Sequence, residues 1–161
     1  MFPAVDKEYI IKLRHEIHEY PELEFDLPKT LAVVRRELDA LQIPYTEAYG
    51  KSSIVGYLNP QCKDFTIGIR ADMDALPLTE KTDLPYASKR PGIMHACGHD
   101  AHTAMLLGTA KALKSVEKTL ACRVLLVFQA CEEGALSGAR EMVADGLMDE
   151  IDVIIGVHIE N

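Results

Sequence analysis

Cys122-Arg123-Val124-Leu125-Leu126-Val127-Phe128 is the stretch of this sequence that decides the fold, because its apolar side chains follow one another without alternation. A continuous apolar run of this length is typical of a strand that is buried on both faces of a sheet. A second run, Asp152-Val153-Ile154-Ile155-Gly156-Val157, predicts another buried strand. The two runs therefore predict a sheet inside the molecule, covered on both sides.

Helical patterns alternate with these strands along the chain. The predicted helices span residues 5–20, 28–41, 101–114 and 138–145. The first two have apolar residues at helical spacing, the third is rich in Ala, Leu and Met, and the last ends before Gly146. Two short β-rich runs, 53–58 and 65–70, are separated by Asn59-Pro60 and are expected to be neighbouring strands. The order predicts a three-layer α/β/α domain with a largely parallel, mixed sheet.

Composition limits the classes of partner. The 161 residues are 48% apolar and 26% charged, which fits one ordinary domain with a buried core. The net charge of −8 argues against nucleic acid and against an anionic membrane as partners. The N-terminus shows no secretory signal, no apolar run is long enough to span a membrane, and the four cysteines form no CxxC pair. These features predict a cytoplasmic protein.

Polar residues follow the predicted strands. In an open α/β sheet, ligands bind at the carboxyl ends of parallel strands, so these residues are expected to converge at one edge. Sulfur, imidazole and carboxylate together are the ligands of a metal site. The residues are Asp72 and Asp74, Cys97 and His99, Glu132 and Glu133, and His158.

Each of these residues also has a structural interpretation. Cys97 and His99 could be chance neighbours, although Gly98 between them allows a tight loop. Two adjacent glutamates are usually a solvated turn, a histidine at a strand end is often structural, and aspartates form turns. Only their common placement raises a functional site to equal standing with these structural interpretations.

The remaining histidines and cysteines receive weaker predictions. His15 and His18 are interpreted as surface or packing residues of the first helix. His95 is either a substrate contact or a donor to a metal ligand. Cys131 is expected to pack near the site without binding metal, and Cys62 and Cys122 are interpreted as inert.

Five segments carry a resemblance to a known family. They resemble the metal-dependent amino-acid amidohydrolases, the group of hippurate hydrolase, the indole-acetyl-amino-acid hydrolases and N-acetyl-diaminopimelate deacetylase. This group belongs to the wider aminoacylase and carboxypeptidase-type metallopeptidase family. The resemblance implies a zinc-peptidase-like catalytic domain. The segments are residues 18–25 (HEYPELEF), 70–77 (RADMDALP), 94–103 (MHACGHDAHT), 128–134 (FQACEEG) and 156–158 (GVH).

The resemblance also implies roles for individual residues. Glu132 matches the general base, Asp74 matches an aspartate that orients a metal ligand, and Asp72 stands where distant relatives place a metal-binding histidine. One or two divalent ions are implied, with zinc or manganese favoured and cobalt or nickel also compatible. The residues that match metal ligands are Cys97, His99, Glu133 and His158.

The sequence departs from the family in two places. Ala130-Cys131-Glu132-Glu133 stands where the family usually has Pro-Ala-Glu-Glu. The family continues beyond the Gly-Val-His segment into a lid or dimerisation domain, then returns to the catalytic domain with a further metal-binding histidine. Residues 1–161 are therefore expected to be the N-terminal portion of a catalytic domain, and the full-length protein is expected to be a homodimer.

The expected reaction is hydrolysis of the amide bond of an N-acyl amino acid or small peptide, with Glu132 as the general base. Two alternatives remain open. One is a cysteine hydrolase with Cys97 as nucleophile and His99 or His102 as base. The other is a catalytically inert, truncated piece that serves binding or assembly.

Overall fold

A five-stranded mixed sheet forms the middle layer of the protein, here a computed structural model in which residues 3–159 are described. The strand order is β1-β2-β4-β3-β5. β3 runs parallel to both β4 and β5, whereas β2 is antiparallel to β1 and β4. The strands are β1 (Tyr45–Thr46), β2 (Ile54–Leu58), β3 (Thr66–Asp72), β4 (Arg123–Gln129) and β5 (Val153–Gly156).

Helices cover both faces of the sheet. The α-helices are α1 (Lys7–His18), α2 (Pro28–Ala40), α3 (His99–Ser115) and α4 (Gly138–Ala144), with 3-10 turns at Glu117–Thr119 and Leu147–Glu150. Leu13, Leu38 and Leu107, one from each of α1 to α3, pack in one core with Leu126 and Phe128 of the sheet. On the opposite face, a smaller core joins α4 and the second 3-10 turn to β2 and β4. The predicted three-layer α/β architecture is confirmed.

Local sequence explains where the helices begin. The Asp6 carboxylate accepts a hydrogen bond from the backbone N–H of Tyr9 at the start of α1. Pro28 opens α2, where the buried Glu22 carboxylate accepts from the N–H groups of Lys29 and Thr30. The four predicted helices are present, and their ends differ by at most two residues from the expected ones.

One expectation about strand pairing is wrong. β2 and β3 are not neighbours, because β4 lies between them and pairs with both. The Asn59 side chain donates hydrogen bonds to the carbonyls of Leu120 and Cys122, the residues that lead into β4. The turn after β2 is thereby fixed beside β4 rather than folding back onto β3.

A second expectation, that residues 152–157 form a buried strand, is wrong about burial. β5 exists, but it lies at the edge of the sheet, and Val153, Ile154 and Ile155 are 46%, 41% and 54% exposed. Within residues 3–159, helices cover the neighbouring strands and leave both faces of β5 open. None of the helices in this described range is long and apolar enough to cross a membrane.

Candidate metal centre

The carboxyl ends of β3, β4 and β5 bring the predicted site residues together. These three strands are parallel, so their carboxyl ends lie at the same edge of the sheet. His99 lies at the centre of the site, because three groups of ligand atoms within 4.8 Å of one another include it. The groups are Cys97, His99 and His158; Asp72, His99 and His102; and His99, Glu132 and Glu133.

His99 is held in a defined orientation. It is the first residue of α3 and follows Gly98, whose φ of 83° lets the chain turn directly into the helix. Its Nδ1 donates a hydrogen bond to the Asp74 carbonyl at 2.8 Å, which leaves the Nε2 lone pair facing the site. Nε2 is buried and has no hydrogen-bond partner among residues 3–159. Burial lowers the pKa of His99, but the carboxylates of Asp74 and Asp72 outweigh it and raise the pKa overall.

Cys97 and His158 approach each other from different elements. The Cys97 sulfur lies 3.3 Å from Nε2 of His158, which follows β5. Burial of the Cys97 thiol, together with a hydrogen bond to Glu133, raises its pKa to about 12. The thiol is therefore protonated at neutral pH unless a cation lies beside it.

The two glutamates share one anchor. The Asp74 carboxylate accepts hydrogen bonds from the N–H groups of Glu132 and Glu133, at 2.9 and 3.0 Å. Burial raises the pKa of Asp74, but its contact with His99 and these two N–H groups lower it more. The side-chain oxygens of Glu132 and Glu133 lie 3.9 and 3.7 Å from Nε2 of His99. Glu132 is the more exposed side chain, at 43% against 24%.

Asp72 is engaged on both oxygens. One oxygen accepts from Arg70 at 2.6 Å, and the other lies 2.6 Å from Nδ1 of His102. Nε2 of His102 accepts the backbone N–H of Ile159 at 3.0 Å. Both ring nitrogens of His102 are therefore occupied.

The donor set fits a divalent transition metal. Cys97 offers sulfur, His99 and His158 offer imidazole nitrogen, and Glu133 offers carboxylate oxygen. Mixed ligands of this kind suit zinc and its neighbours. The unpartnered Nε2 of His99 is an atom that a bound cation would satisfy.

His18 has a role that sequence reasoning missed. It is buried, with Nδ1 2.8 Å from Asp100 and Nε2 3.2 Å from Glu80. The hydrogen bond to Asp100 raises the pKa of His18 and outweighs the opposing effect of burial. A signal was present: Arg14 and His18 share one face of α1, and both contact Asp100.

His95 and Cys131 lie beside the site. His95 lines a cavity of about 340 Å³ together with Cys97 and His158. In the described part of the chain neither of its ring nitrogens has a hydrogen-bond partner, and burial lowers the pKa of His95 to about 4. Cys131 is buried as expected, and its sulfur hydrogen-bonds to the Leu136 carbonyl.

A family model for peptidase family M20/M25/M40 matches residues 68–161, which is more than half of the chain and includes most of the site. The chain belongs to this family. The resemblance seen in the sequence is thus confirmed at the level of the family.

Curated relatives of this M20 chain carry amidohydrolase and carboxypeptidase names. The hippurate hydrolase of Campylobacter jejuni is 49% identical over 141 residues, covering 88% of this chain and 36% of that protein. IAA-amino acid hydrolase ILR1-like 5 of Arabidopsis thaliana is 42% identical over 96% of this chain and 35% of its own length. The chain thus spans little more than a third of the length of these relatives.

Solved structures show the same fold. The Bacillus subtilis YXEP protein, described as a dinuclear metal binding peptidase from the M20 family, superposes with a TM-score of 0.89 at 39% identity. The superposition covers 96% of this chain and 44% of that one. The aminopeptidase LapA of Legionella pneumophila, at 15% identity and a TM-score of 0.69, shares the fold alone.

Proposed function

We propose that these residues form part of a metal-dependent amidohydrolase that cleaves the amide bond of N-acyl amino acids or small peptides. Membership of the M20 family and the names of the relatives support this reaction class. The observation that carries the proposal is the buried, unpartnered Nε2 of His99, with the ligand atoms of Cys97, His158 and Glu133 around it.

Cys97, His99, Glu133 and His158 would hold one or two divalent ions, with zinc or manganese first and cobalt or nickel also suited. A bound ion of this kind lowers the pKa of water and polarises a carbonyl. The dinuclear centre described for the YXEP protein supports two ions.

Glu132 would act as the general base. Its backbone is fixed by Asp74, while its side chain remains the more exposed of the pair. A carboxylate in this position takes a proton from water and returns it to the leaving amine. Glu133 would bind metal and cannot serve as the base at the same time, so the adjacent glutamates divide two tasks. The Asp74 carboxylate orients both glutamates, and the Asp74 carbonyl accepts a hydrogen bond from His99.

The cysteine-hydrolase alternative is less compatible with this geometry. Both ring nitrogens of His102 are occupied, so His102 has no free lone pair to take the proton of Cys97. The raised pKa of Cys97 also disfavours the thiolate that a nucleophile requires.

The test compares Glu132→Gln with Glu133→Gln on N-benzoylglycine and a panel of N-acyl amino acids. We expect Glu132→Gln to lower turnover by about a hundredfold or more with its metal content unchanged, since a general base contributes roughly this factor. Glu133→Gln should lose metal, measured by elemental analysis. Equal metal loss in both variants would contradict the division of roles.

The inert-fragment alternative is tested by the same assay. The exposed β5 favours it, because an uncovered edge strand promotes association. Bound metal without turnover in residues 1–161, alongside activity in a full-length protein, would support that alternative for this chain.

A further inference from the structure

The segment that carries His158 lies outside the core. It follows β5, a four-residue strand at the sheet edge, and Val157 and Ile159 on either side of His158 are 66% and 43% exposed. Burial therefore does not fix the position of His158. Another interaction has to hold its imidazole 3.3 Å from the Cys97 sulfur.

A backbone hydrogen bond ties this segment to a buried side chain. The N–H of Ile159 donates to Nε2 of His102, at 3.0 Å, and His102 is 2% exposed. The Ile159 side chain packs over Gly98, where an added Cβ would lie 3.4 Å from the Ile159 Cβ. The segment is thus seated on the start of α3, next to Cys97 and His99.

This contact fixes the tautomer of His102. Because Nε2 accepts from a backbone N–H, it carries no proton, and the ring proton of a neutral imidazole is then on Nδ1. Nδ1 donates to Asp72 at 2.6 Å, and the other oxygen of Asp72 accepts from Arg70. Arg70 in turn donates to Gln129 at the end of β4. A continuous chain of hydrogen bonds runs from the sheet to the segment beyond β5.

We propose that the Asp72–His102 pair positions His158, by presenting an imidazole acceptor to the N–H of Ile159. This inference rests on the proposed function in one respect, namely that His158 binds metal. It makes His102 a positioning residue. It also assigns a positioning role to Asp72, the residue that stands where distant relatives place a metal-binding histidine.

The first test measures cobalt(II) affinity and the visible absorption of the bound ion. In His102→Asn the side-chain amide can still donate to Asp72 but is too short to reach the N–H of Ile159. In His102→Gln an amide oxygen lies near the position of Nε2 and can accept from that N–H. We expect an affinity loss of about tenfold to a hundredfold for His102→Asn, the range for groups that orient metal ligands, and changed visible bands. His102→Gln should recover most of the affinity. The control is His15→Asn, because His15 lies in α1 and its ring stacks on Tyr86.

The second test removes the other partner of the same hydrogen bond. Ile159→Pro lacks the N–H, whereas Ile159→Ala keeps it. We expect Ile159→Pro to match His102→Asn in affinity, and Ile159→Ala to stay near the wild type. Proline at position 159 also restricts the backbone of His158, so the double variant His102→Asn/Ile159→Pro is needed to separate that effect from loss of the hydrogen bond.

Non-additivity distinguishes the proposal from two unrelated defects. The double variant His102→Asn/Ile159→Pro should bind cobalt about as well as the weaker single variant, because both changes break one interaction. Losses that multiply, or unchanged affinity in His102→Asn and in Ile159→Pro, would overturn the proposed pair and leave the amidohydrolase proposal standing.

Hydrogen exchange separates the two proposals in the metal-free protein. The Ile159 amide should exchange slowly in the wild type and in His102→Gln, and rapidly in His102→Asn. Equal exchange in all three would overturn the role of His102. Absence of any metal binding by the wild type would instead count against the proposed function, while the exchange pattern would still test the hydrogen bond.

Discussion

β4 and β5 are both apolar strands of one sheet, yet they have opposite environments. Arg123–Gln129 is buried along almost its whole length, whereas every residue of Val153–Gly156 is exposed. Among the described residues, β4 pairs with a strand on each side, but β5 pairs only with β3. Within residues 3–159, the position in the sheet thus decides that β4 is buried and β5 is exposed, although both sequences are apolar.

The candidate metal centre likewise has one side next to buried strands and one side next to the exposed strand. His99, Asp74 and the two glutamates lie next to the buried strands and are fixed by several hydrogen bonds. His158 follows the exposed strand and is seated mainly by the contact between Ile159 and His102. The buried side of the centre should thus be preorganised, and the side formed by His158 should be the easier one to disturb.

The largest effect is expected on the free energy of unfolding, when alanine replaces each of two residues that lie in one row across the sheet. Leu126 pairs with Ile69, which pairs with Ile155. Leu126→Ala should lower the free energy of unfolding by about 3 kcal/mol, because it leaves a cavity in a filled core. Ile155→Ala should change it by about 0.5 kcal/mol or less, since Ile155 is 54% exposed. Urea unfolding measures both, and equal losses would mean that β5 is covered in solution.

A smaller effect is expected at the anchor of the glutamates. Asp74→Asn should destabilise the protein by about 2 kcal/mol, because the amide cannot accept from both backbone N–H groups. Metal affinity should fall as well, since the orientation of Glu133 depends on this contact. Asp64→Asn, at an exposed aspartate, serves as the control. An unchanged midpoint in urea for Asp74→Asn would show that the buried side is less rigid than its hydrogen bonds indicate.

The smallest expected effect depends on pH and concerns His18, behind the start of α3. Its folded pKa is raised above 6.5, so its protonation stabilises the fold fully below that pH and less as pH rises through the folded pKa. His18→Asn should therefore cost about 1 kcal/mol near pH 6, the usual net contribution of an intramolecular hydrogen bond, and less near pH 9.

The charged groups around His18 do not change the direction of this pH dependence. Asp100 and Glu80 contact the ring directly, and Arg14 contacts Asp100. The pKa values of both carboxyls are lowered, so they stay ionised throughout this pH range. His15→Asn is the matched control, and a pH-independent cost for His18→Asn would contradict the assignment.

Much of the fold followed from local patterns, and the exceptions share a cause. Helical spacing, prolines and Gly146 predicted the four helices to within a few residues, because these signals act within one turn. The pairing of β2 with β4 and the exposure of β5 were predicted wrongly, since both depend on residues distant in the sequence. The two-residue β1 was not predicted at all, because so short a strand has no period.

The candidate site shows the same division. The residue types and their places after the strands predicted convergence at one edge of the sheet, and the structure groups His99 with Cys97 and His158 on one side and with Glu132 and Glu133 on the other. The buried contacts of His18 with Asp100 and of His102 with Asp72 were not predicted. The spacing of Arg14 and His18 marks one face of α1, but it does not identify Asp100 as the carboxylate that this face meets across the core.

The sequence by itself determined the chemistry available to this M20 protein: a thiol, imidazoles and paired carboxylates at the ends of parallel strands. Only the tertiary structure decided how these groups are held. Their orientation is set by hydrogen bonds between residues about 60 positions apart in the sequence, such as those that the Asp74 carboxylate accepts from the N–H groups of Glu132 and Glu133. The physical reason is that ligand identity is a local property of the chain, whereas the direction of a lone pair depends on which distant groups the fold places beside it.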